Sequence, residues 1–293
     1  MSRSQTKAGW VFIGPASALI GLFFFVPVVA GLLLSFTDFD IYGIAAPETV
    51  RWIGLRNYVQ LVQNPLFWTA LKNTLVFVLA GGPLSVAVSL GAALLLNAPQ
   101  ARLRGLFRTV YFTPVVTTIV AVALVWRYLY HPRYGLLNHA LGLVGIGPID
   151  WLGDPNWAMP AIILLAIWKN FGYNMLIFLA GLQSIPEELY EAARLDGAGA
   201  LQRFRHVTAP GLRSTFVFIA IITMLGYFQL FAEPYVMTQG GPLRATTSLV
   251  LLMYEEGFRW WRLGMASAVA VLLLLIMSVG TMIQLRLQRG RAR

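Results

Sequence analysis

Six long stretches of this sequence are apolar and almost free of charge, and they limit what the chain can fold into. Charged residues are absent from 8–37, 73–101, 109–126, 214–232 and 263–285, and from 155–186 except for Lys169. A helix needs about 20 apolar residues to cross the hydrocarbon core of a bilayer. Backbone groups in lipid must pair within helices or a closed barrel, and these runs lack the alternation of barrel strands. We therefore expect an all-α membrane protein.

The runs predict six transmembrane helices within a single transmembrane domain over residues 1–293. The first run is too long for the apolar core of a cleaved signal peptide, about 7–15 residues, and is expected to remain as a span. The predicted spans are 9–35, 72–97, 107–130, 157–182, 213–233 and 263–286.

The positions of lysine and arginine predict the orientation of these spans. With both termini cytoplasmic, the inner segments hold thirteen Lys or Arg and the outer loops hold six. That excess agrees with the positive-inside rule, so the net charge of +10 is a sign of topology. The sequence has no basic face with interleaved aromatic residues, so it does not indicate nucleic-acid binding. We expect a multi-pass membrane protein with both termini in the cytoplasm.

Several kinds of chemistry are excluded by what the sequence lacks. Cysteine is absent, which removes disulfides, thiolate metal sites and cysteine nucleophiles. The three histidines are expected on different sides of the membrane, so no metal site is predicted. No GxxxxGK[ST], GxSxG or HExxH motif occurs, and no catalytic residue or cofactor of its own is predicted for the chain.

Lys72 and Glu233, near the outer ends of spans, are interpreted as interfacial residues.

A polar segment separates the fourth and fifth predicted spans. Ser184 to Glu187 match the S-x-x-E capping box, which predicts a helix reaching about Leu195. Asp196-Gly197 predicts its end, and a second short helix follows before Pro210. Helices this short are marginal in water unless their apolar faces dock. The residues alone leave two alternatives, docking on a partner protein and packing on the chain's own bundle.

This segment, IPEELYEAARLDGAGALQRFRHVTAP, resembles the EAA loop of permease subunits in binding-protein-dependent ABC importers. Glu191-Ala192-Ala193, Gly197 and Pro210 have the spacing of that motif. Val207 replaces an isoleucine of the motif, and Ala209 replaces a leucine. The resemblance covers most of the chain and implies the fold of a type I ABC importer permease.

In that family the EAA loop, here 184–210, is a coupling helix seated in a cleft of a cytoplasmic ATPase. The resemblance therefore implies that ATP and Mg are bound by a separate ATPase chain. It also implies that Glu191 meets a basic residue of that ATPase, whereas Asp196 caps the following turn. The residues implied in coupling are Glu187, Glu188, Glu191, Ala192, Ala193, Asp196, Gly197 and Pro210.

Two other stretches resemble the carbohydrate-uptake branch of the family: WKNFGYNMLIFLAGLQSIPEELYEAARLDGA and TQGGP, residues 238–242. TQGGP resembles the first permease of the maltose and glycerol-phosphate importers. The resemblance implies a heterodimer with a second homologous permease, two ATPase subunits and a sugar substrate. The outer loops, including 36–68 and 234–262, are expected to receive an extracytoplasmic solute-binding protein.

A polar cluster in the fourth predicted span is the candidate substrate path. Lys169, Asn170, Tyr173 and Asn174 combine an aromatic ring with hydrogen-bonding groups, as sugar sites do. The alternative is polar contact between helices. Alignment through the EAA and GGP motifs adds Thr223 and Tyr227 of the fifth span. The alternatives to a carbohydrate ABC permease are an ABC permease for another solute and an ion-driven secondary transporter.

Overall fold

The structure is a computed structural model that describes the backbone of residues 3–290 and the side chains of 12–286. Arg3, Lys7 and the basic residues after 286, which entered the orientation argument, lie outside the described side chains. The described residues are helical apart from loops and one isolated bridge between Thr37 and Trp52. This agrees with the all-α fold expected from the sequence.

Within the described residues, five helices are long and apolar enough to cross a membrane, and one bent pair of helices gives a sixth candidate. The first span is helical from Arg3 to Leu34, and its stretch Phe12–Leu34 is the apolar part. The other single helices are Pro65–Asn97, Pro155–Gln183, Arg213–Met237 and Leu263–Arg286. The class predicted from the sequence, a polytopic helical membrane protein, is confirmed.

The third predicted span, 107–130, is not one straight helix. It consists of Arg104–Val116 and Ile119–Leu129, which meet at an angle of 101°. Thr117 and Thr118 between them have extended backbone, with ψ of 151° and 135°. Pro114 lies inside the last turn of the first helix and has no N–H to donate to the turn before it. The region predicted as the third span is therefore a bent pair of helices.

Shorter helices occupy the loops. In chain order they are Tyr42–Ala45, Pro47–Thr49, Arg56–Gln63, Leu136–Leu143, Glu187–Leu195, Ala200–Arg203, Ala209–Gly211 and Leu249–Tyr254. The span Arg213–Met237 comprises the helices Arg213–Phe228 and Ala232–Met237. π-helical turns lie at Gly21–Phe25, Phe77–Gly81, Phe204–Thr208 and Glu255–Arg259.

The chain divides into two compact units. One comprises residues 1–68 and 252–276. In this unit the buried Asn57 side-chain amide donates to the carbonyls of Ser35 at 2.9 Å and Thr37 at 2.8 Å. The Gly264 N–H donates to the Phe39 carbonyl at 2.8 Å. These bonds fix the segment after the first span against the start of the last one.

The other unit comprises residues 69–251 and 277–293 and contains the candidate sites. Its core lies where Pro155–Gln183 packs against the second span. Gly172 allows the fourth span to pack closely on the third, because a Cβ there would lie 1.9 Å from the Tyr111 carbonyl oxygen. The buried core side chains are those of Val86, Ala93, Leu96, Met175, Phe178, Leu179, Leu182, Leu212 and Ile219.

Candidate functional sites: an exposed helix pair and a polar cavity

The helix of the EAA-like segment has the bounds expected from the sequence. It runs from Glu187 to Leu195, and Gly197 follows with φ +74°. The Gly197 N–H donates to the Arg194 carbonyl at 3.0 Å, and the Ala198 N–H donates to Ala193 at 2.9 Å. These two bonds form a Schellman motif, in which a glycine takes the left-handed position without a Cβ penalty. The predicted stop at Asp196-Gly197 is confirmed.

The predicted capping box at the start of this helix is wrong. The preceding span continues to Gln183, so Ser184 lies at its C-terminus, and the Ser184 hydroxyl donates to the Gly181 carbonyl at 2.8 Å. Pro186 takes the N-cap position, with no side-chain bond. The Glu187 carboxylate instead accepts from Arg194 at 2.9 Å, and both side chains are more than half exposed. A surface pair of this kind adds about 0–1 kcal/mol.

Asp196 is the C-cap residue of the first helix, and the second short helix takes its N-cap from Gly199. The Gly199 N–H donates to the side-chain oxygen of Gln202 at 2.7 Å. The Tyr190 and Thr208 hydroxyls share a hydrogen bond of 3.0 Å that ties the two helical pieces together. Thr208 is buried, so this side of the helix pair faces the chain's own bundle.

Other residues of the helix pair are exposed. Leu189, Leu195 and Leu201 are 51%, 89% and 78% exposed. Glu188, Glu191, Ala192 and Pro210 are exposed as well, whereas Ala193 is half-buried. We call Leu189, Glu191, Leu195 and Leu201 the open face. Because three leucines of the open face are left in solvent, packing within this chain accounts for only part of the apolar surface of the pair.

The predicted substrate-path residues come together around one cavity of about 340 Å³. Five of the six line it: Asn170, Tyr173, Asn174, Thr223 and Tyr227. The Asn174 amide donates to the Thr223 hydroxyl at 2.9 Å and links the fourth span to the fifth. The volume is in the range of small-ligand sites, and the wall mixes rings with amides and hydroxyls.

Lys169 is the exception. It is 8% exposed and does not line the cavity. Its ammonium donates to the Val115 carbonyl at 3.0 Å. Val115 lies just before the bend in the third span, where helix-terminal carbonyls have lost their intrahelical donors. This geometry favours the alternative of polar contact between helices for Lys169.

Sequence reasoning missed several cavity residues, above all Glu233. Glu233 is half-buried and lines the cavity with Phe77, Val115 and Gln229. Its interpretation as an interfacial residue was wrong, because the fifth span breaks after Phe228 and a new helix begins at Ala232. Glu-Pro in a first helical turn is a typical helix start, and this signal would have placed Glu233 at a helix beginning.

Tyr227 is held in the cavity wall by the second span. Its ring stacks on Phe77 with centroids 4.7 Å apart, and Phe77 opens the π-helical turn Phe77–Gly81. Gly81 permits this approach, since a Cβ there would lie 2.8 Å from Tyr227 Cε1. π-helical turns within α-helices are frequent at functional sites.

The TQGGP segment is a tightly bonded loop. Gln239 and Gly240 have φ of +49° and +83°, and the Thr246 hydroxyl donates to the Gly241 carbonyl at 2.7 Å. The Asn73 amide donates to the carbonyls of Arg244 at 2.9 Å and Thr247 at 3.0 Å. Leu243 at the tip is 88% exposed.

Fold and motif together define the membrane subunit of an importer, and comparison with known proteins gives the family. Residues 85–293 match the family described as binding-protein-dependent transport system inner membrane component. The chain belongs to this family, and the resemblance seen in the sequence is confirmed.

Individual relatives match over nearly the whole length. The lactose transport system permease protein LacF of Rhizobium radiobacter is 36% identical over 99% of this chain and 98% of the relative. The arabinooligosaccharides transport system permease protein AraP of Bacillus subtilis (strain 168) is 32% identical over 97% of this chain and 89% of its own. A similar fold occurs in a crystal structure of a bacterial alginate ABC transporter in complex with an alginate pentasaccharide-bound periplasmic protein. Its TM-score is 0.82 at 22% identity, over 99% of this chain and 96% of that one.

Proposed function

We propose that this chain is the transmembrane permease subunit of an ATP-driven ABC importer that takes up a carbohydrate delivered by an extracytoplasmic binding protein. The observation that carries the proposal is the gathering of five predicted substrate-path residues around one polar cavity between spans. Family membership and relatives named for lactose and arabinooligosaccharide transport support a saccharide as the solute.

The coupling role is proposed for the Glu187–Leu195 helix and the segment up to Pro210. Three exposed leucines and Glu191 form an open face, and the Schellman stop gives the helix a defined end. An ATPase cleft that covers the open face would desolvate the leucines and pair Glu191 with a basic residue. ATP and Mg belong to that ATPase chain in this proposal.

The proposed assembly contains this permease, a second homologous permease and two ATPase subunits in a prokaryotic inner membrane. The TQGGP resemblance supports a heterodimer of permeases. The loops 36–68 and 234–262 are the proposed docking regions for the binding protein, and the exposed Leu243 at the tip of a tightly bonded loop supports the second. Purification of a functional homodimer of this chain with two ATPases would overturn the heterodimer.

Uptake into proteoliposomes that hold the full complex tests the function. A labelled saccharide panel is offered with the binding protein outside and ATP inside, and the control carries a non-hydrolysable ATP analogue. We expect accumulation of at least one saccharide that requires hydrolysable ATP. Uptake that persists under an ion gradient without ATP would indicate the secondary transporter instead. ATP-driven uptake restricted to a non-carbohydrate solute would indicate an ABC permease for another solute.

A further inference from the structure

The wall of the cavity carries one formally charged side chain among the residues that the structure describes. Glu233 lines it, and the other polar groups are neutral: Asn170, Tyr173, Asn174, Thr223, Tyr227 and Gln229. No lysine or arginine is part of this lining. The one group of this lining that can carry a formal charge is therefore a carboxylate, which is negative when ionised.

Lys169 is a cation that interacts with Glu233, but its ammonium forms its hydrogen bond with a backbone carbonyl. The two side chains attract each other electrostatically. The Lys169 ammonium, however, donates to the Val115 carbonyl at 3.0 Å and does not line the cavity. The Glu233 carboxylate thus belongs to the cavity wall, whereas Lys169 does not line the cavity.

This arrangement distinguishes solutes by charge. A carboxylate accepts hydrogen bonds from hydroxyl groups and has no proton to donate when ionised. A neutral saccharide can supply such hydroxyls, and the neutral amides around the cavity can pair with its remaining donors and acceptors. An acidic or phosphorylated sugar would bring a second negative charge to within a few ångströms of Glu233, which disfavours its entry.

We propose that Glu233 makes this cavity selective for uncharged saccharides over uronates and sugar phosphates. The proposal rests on the proposed function, because it names the class of solute for the same cavity. It adds a selectivity residue that neither the EAA motif nor the polar cluster of the fourth span contains.

The absence of native cysteine allows a direct test of the cavity charge. Gly226 lines the cavity, and a Cβ there would meet nothing within 4 Å, so Gly226→Cys introduces one thiol of this chain into the wall. Ile222→Cys, also in the lining, is a second reporter. In the assembled complex, the thiol is modified with methanethiosulfonates of matched size that carry a trimethylammonium or a sulfonate group. Rates are normalised to a small-molecule thiol.

We expect the cationic reagent to react faster than the anionic one. Glu233→Gln should lower the cation-to-anion rate ratio about tenfold, as one unit charge a few ångströms away in a largely aqueous cavity would. Asp150→Asn, at an exposed residue outside the lining and outside both proposed docking loops, is the matched control and should leave the ratio unchanged. An unchanged ratio in Glu233→Gln at both reporter positions would overturn the proposal.

A second measurement uses saccharides to protect the introduced thiol from modification by a neutral methanethiosulfonate. Maltotriose should slow modification by the neutral reagent more than a galacturonate trisaccharide does, and Glu233→Gln should narrow that difference. Stronger protection by the galacturonate trisaccharide would overturn the proposal. Measurement of the reagent rate ratio requires neither ATP nor transport. Failure of ATP-driven uptake would therefore contradict the proposed function, whereas the rate ratio tests the charge of the cavity separately.

Discussion

The Lys169 ammonium donates a hydrogen bond of 3.0 Å to the carbonyl of Val115, which lies just before the 101° bend of the third span. A side chain of the fourth span thereby supplies a hydrogen-bond donor to a backbone carbonyl of the third span, near the point where the regular helix ends. This relationship assigns Lys169 to the framework of the cavity, whereas five of its predicted companions line the cavity itself.

Replacement of Lys169 by Met should therefore act on stability. The Val115 carbonyl would lose its donor in a partly buried site, at a cost of about 1–3 kcal/mol. We expect the melting temperature of the detergent-solubilised complex to fall by several degrees. Lys72→Met, at an exposed lysine, is the control. A variant with unchanged melting temperature but a higher KM for solute would place Lys169 in contact with the solute.

Gly172→Ala should separate the third and fourth spans. The added Cβ would lie 1.9 Å from the Tyr111 carbonyl oxygen, and a backbone atom cannot turn aside as a side chain can. Overpacking typically costs about 1–3 kcal/mol. Thermal unfolding of the complex measures the effect. Gly91→Ala, at a helical glycine with nothing within 4 Å, should be neutral or slightly stabilising. Equal melting temperatures for the two variants would contradict this packing.

Gly81→Ala tests the position of Tyr227 in the cavity wall. The new methyl group would lie 2.8 Å from Tyr227 Cε1 and should displace the ring from its stack on Phe77. We expect a several-fold rise in the KM for transported solute at normal membrane levels. The neighbouring Gly82→Ala meets nothing within 4 Å and serves as the matched control. If both variants transport like the parent, Tyr227 does not contribute to the solute path.

Most of this fold follows from the segregation of apolar residues, because lipid leaves a charge-free run few alternatives to a helix. The bend of the third span was not predictable in this way. Pro114 is compatible with a kinked or an unbroken span, and the partner that completes the bend, Lys169, lies 54 residues away in sequence. Such a long-range bond has no local signature.

The exposed helix pair shows a different limit. Asp196-Gly197 is a local stop signal, and the helix ends there as predicted. Ser184 carries an equally local signal, but two helices meet within three residues, and its hydroxyl serves the end of the earlier one. The purpose of the open face could not be derived from the residues, and only the resemblance to the EAA loop supplied a partner.

The coupling variants test the central claim, that a separate ATPase moves this bundle through the Glu187–Leu195 helix. Glu191 is exposed in this chain, so Glu191→Ala should change the free energy of unfolding by no more than about 0.5 kcal/mol if the helix has no partner. Seated in an ATPase cleft against a basic residue, the same change would cost about 2–5 kcal/mol of binding. Gly197→Leu adds a side chain at φ +74° and should distort the stop while the spans stay intact.

The most direct measurement is solute-stimulated ATP hydrolysis together with uptake in proteoliposomes, for the double variant Glu191→Ala, Gly197→Leu. Gln100→Ala is the control at an exposed residue of the inner loop between the second and third spans. We predict normal membrane insertion of the double variant, with loss of ATPase association or of transport-coupled hydrolysis. Normal coupling and uptake in the well-inserted double variant would show that this helix does not connect the permease to its ATPase.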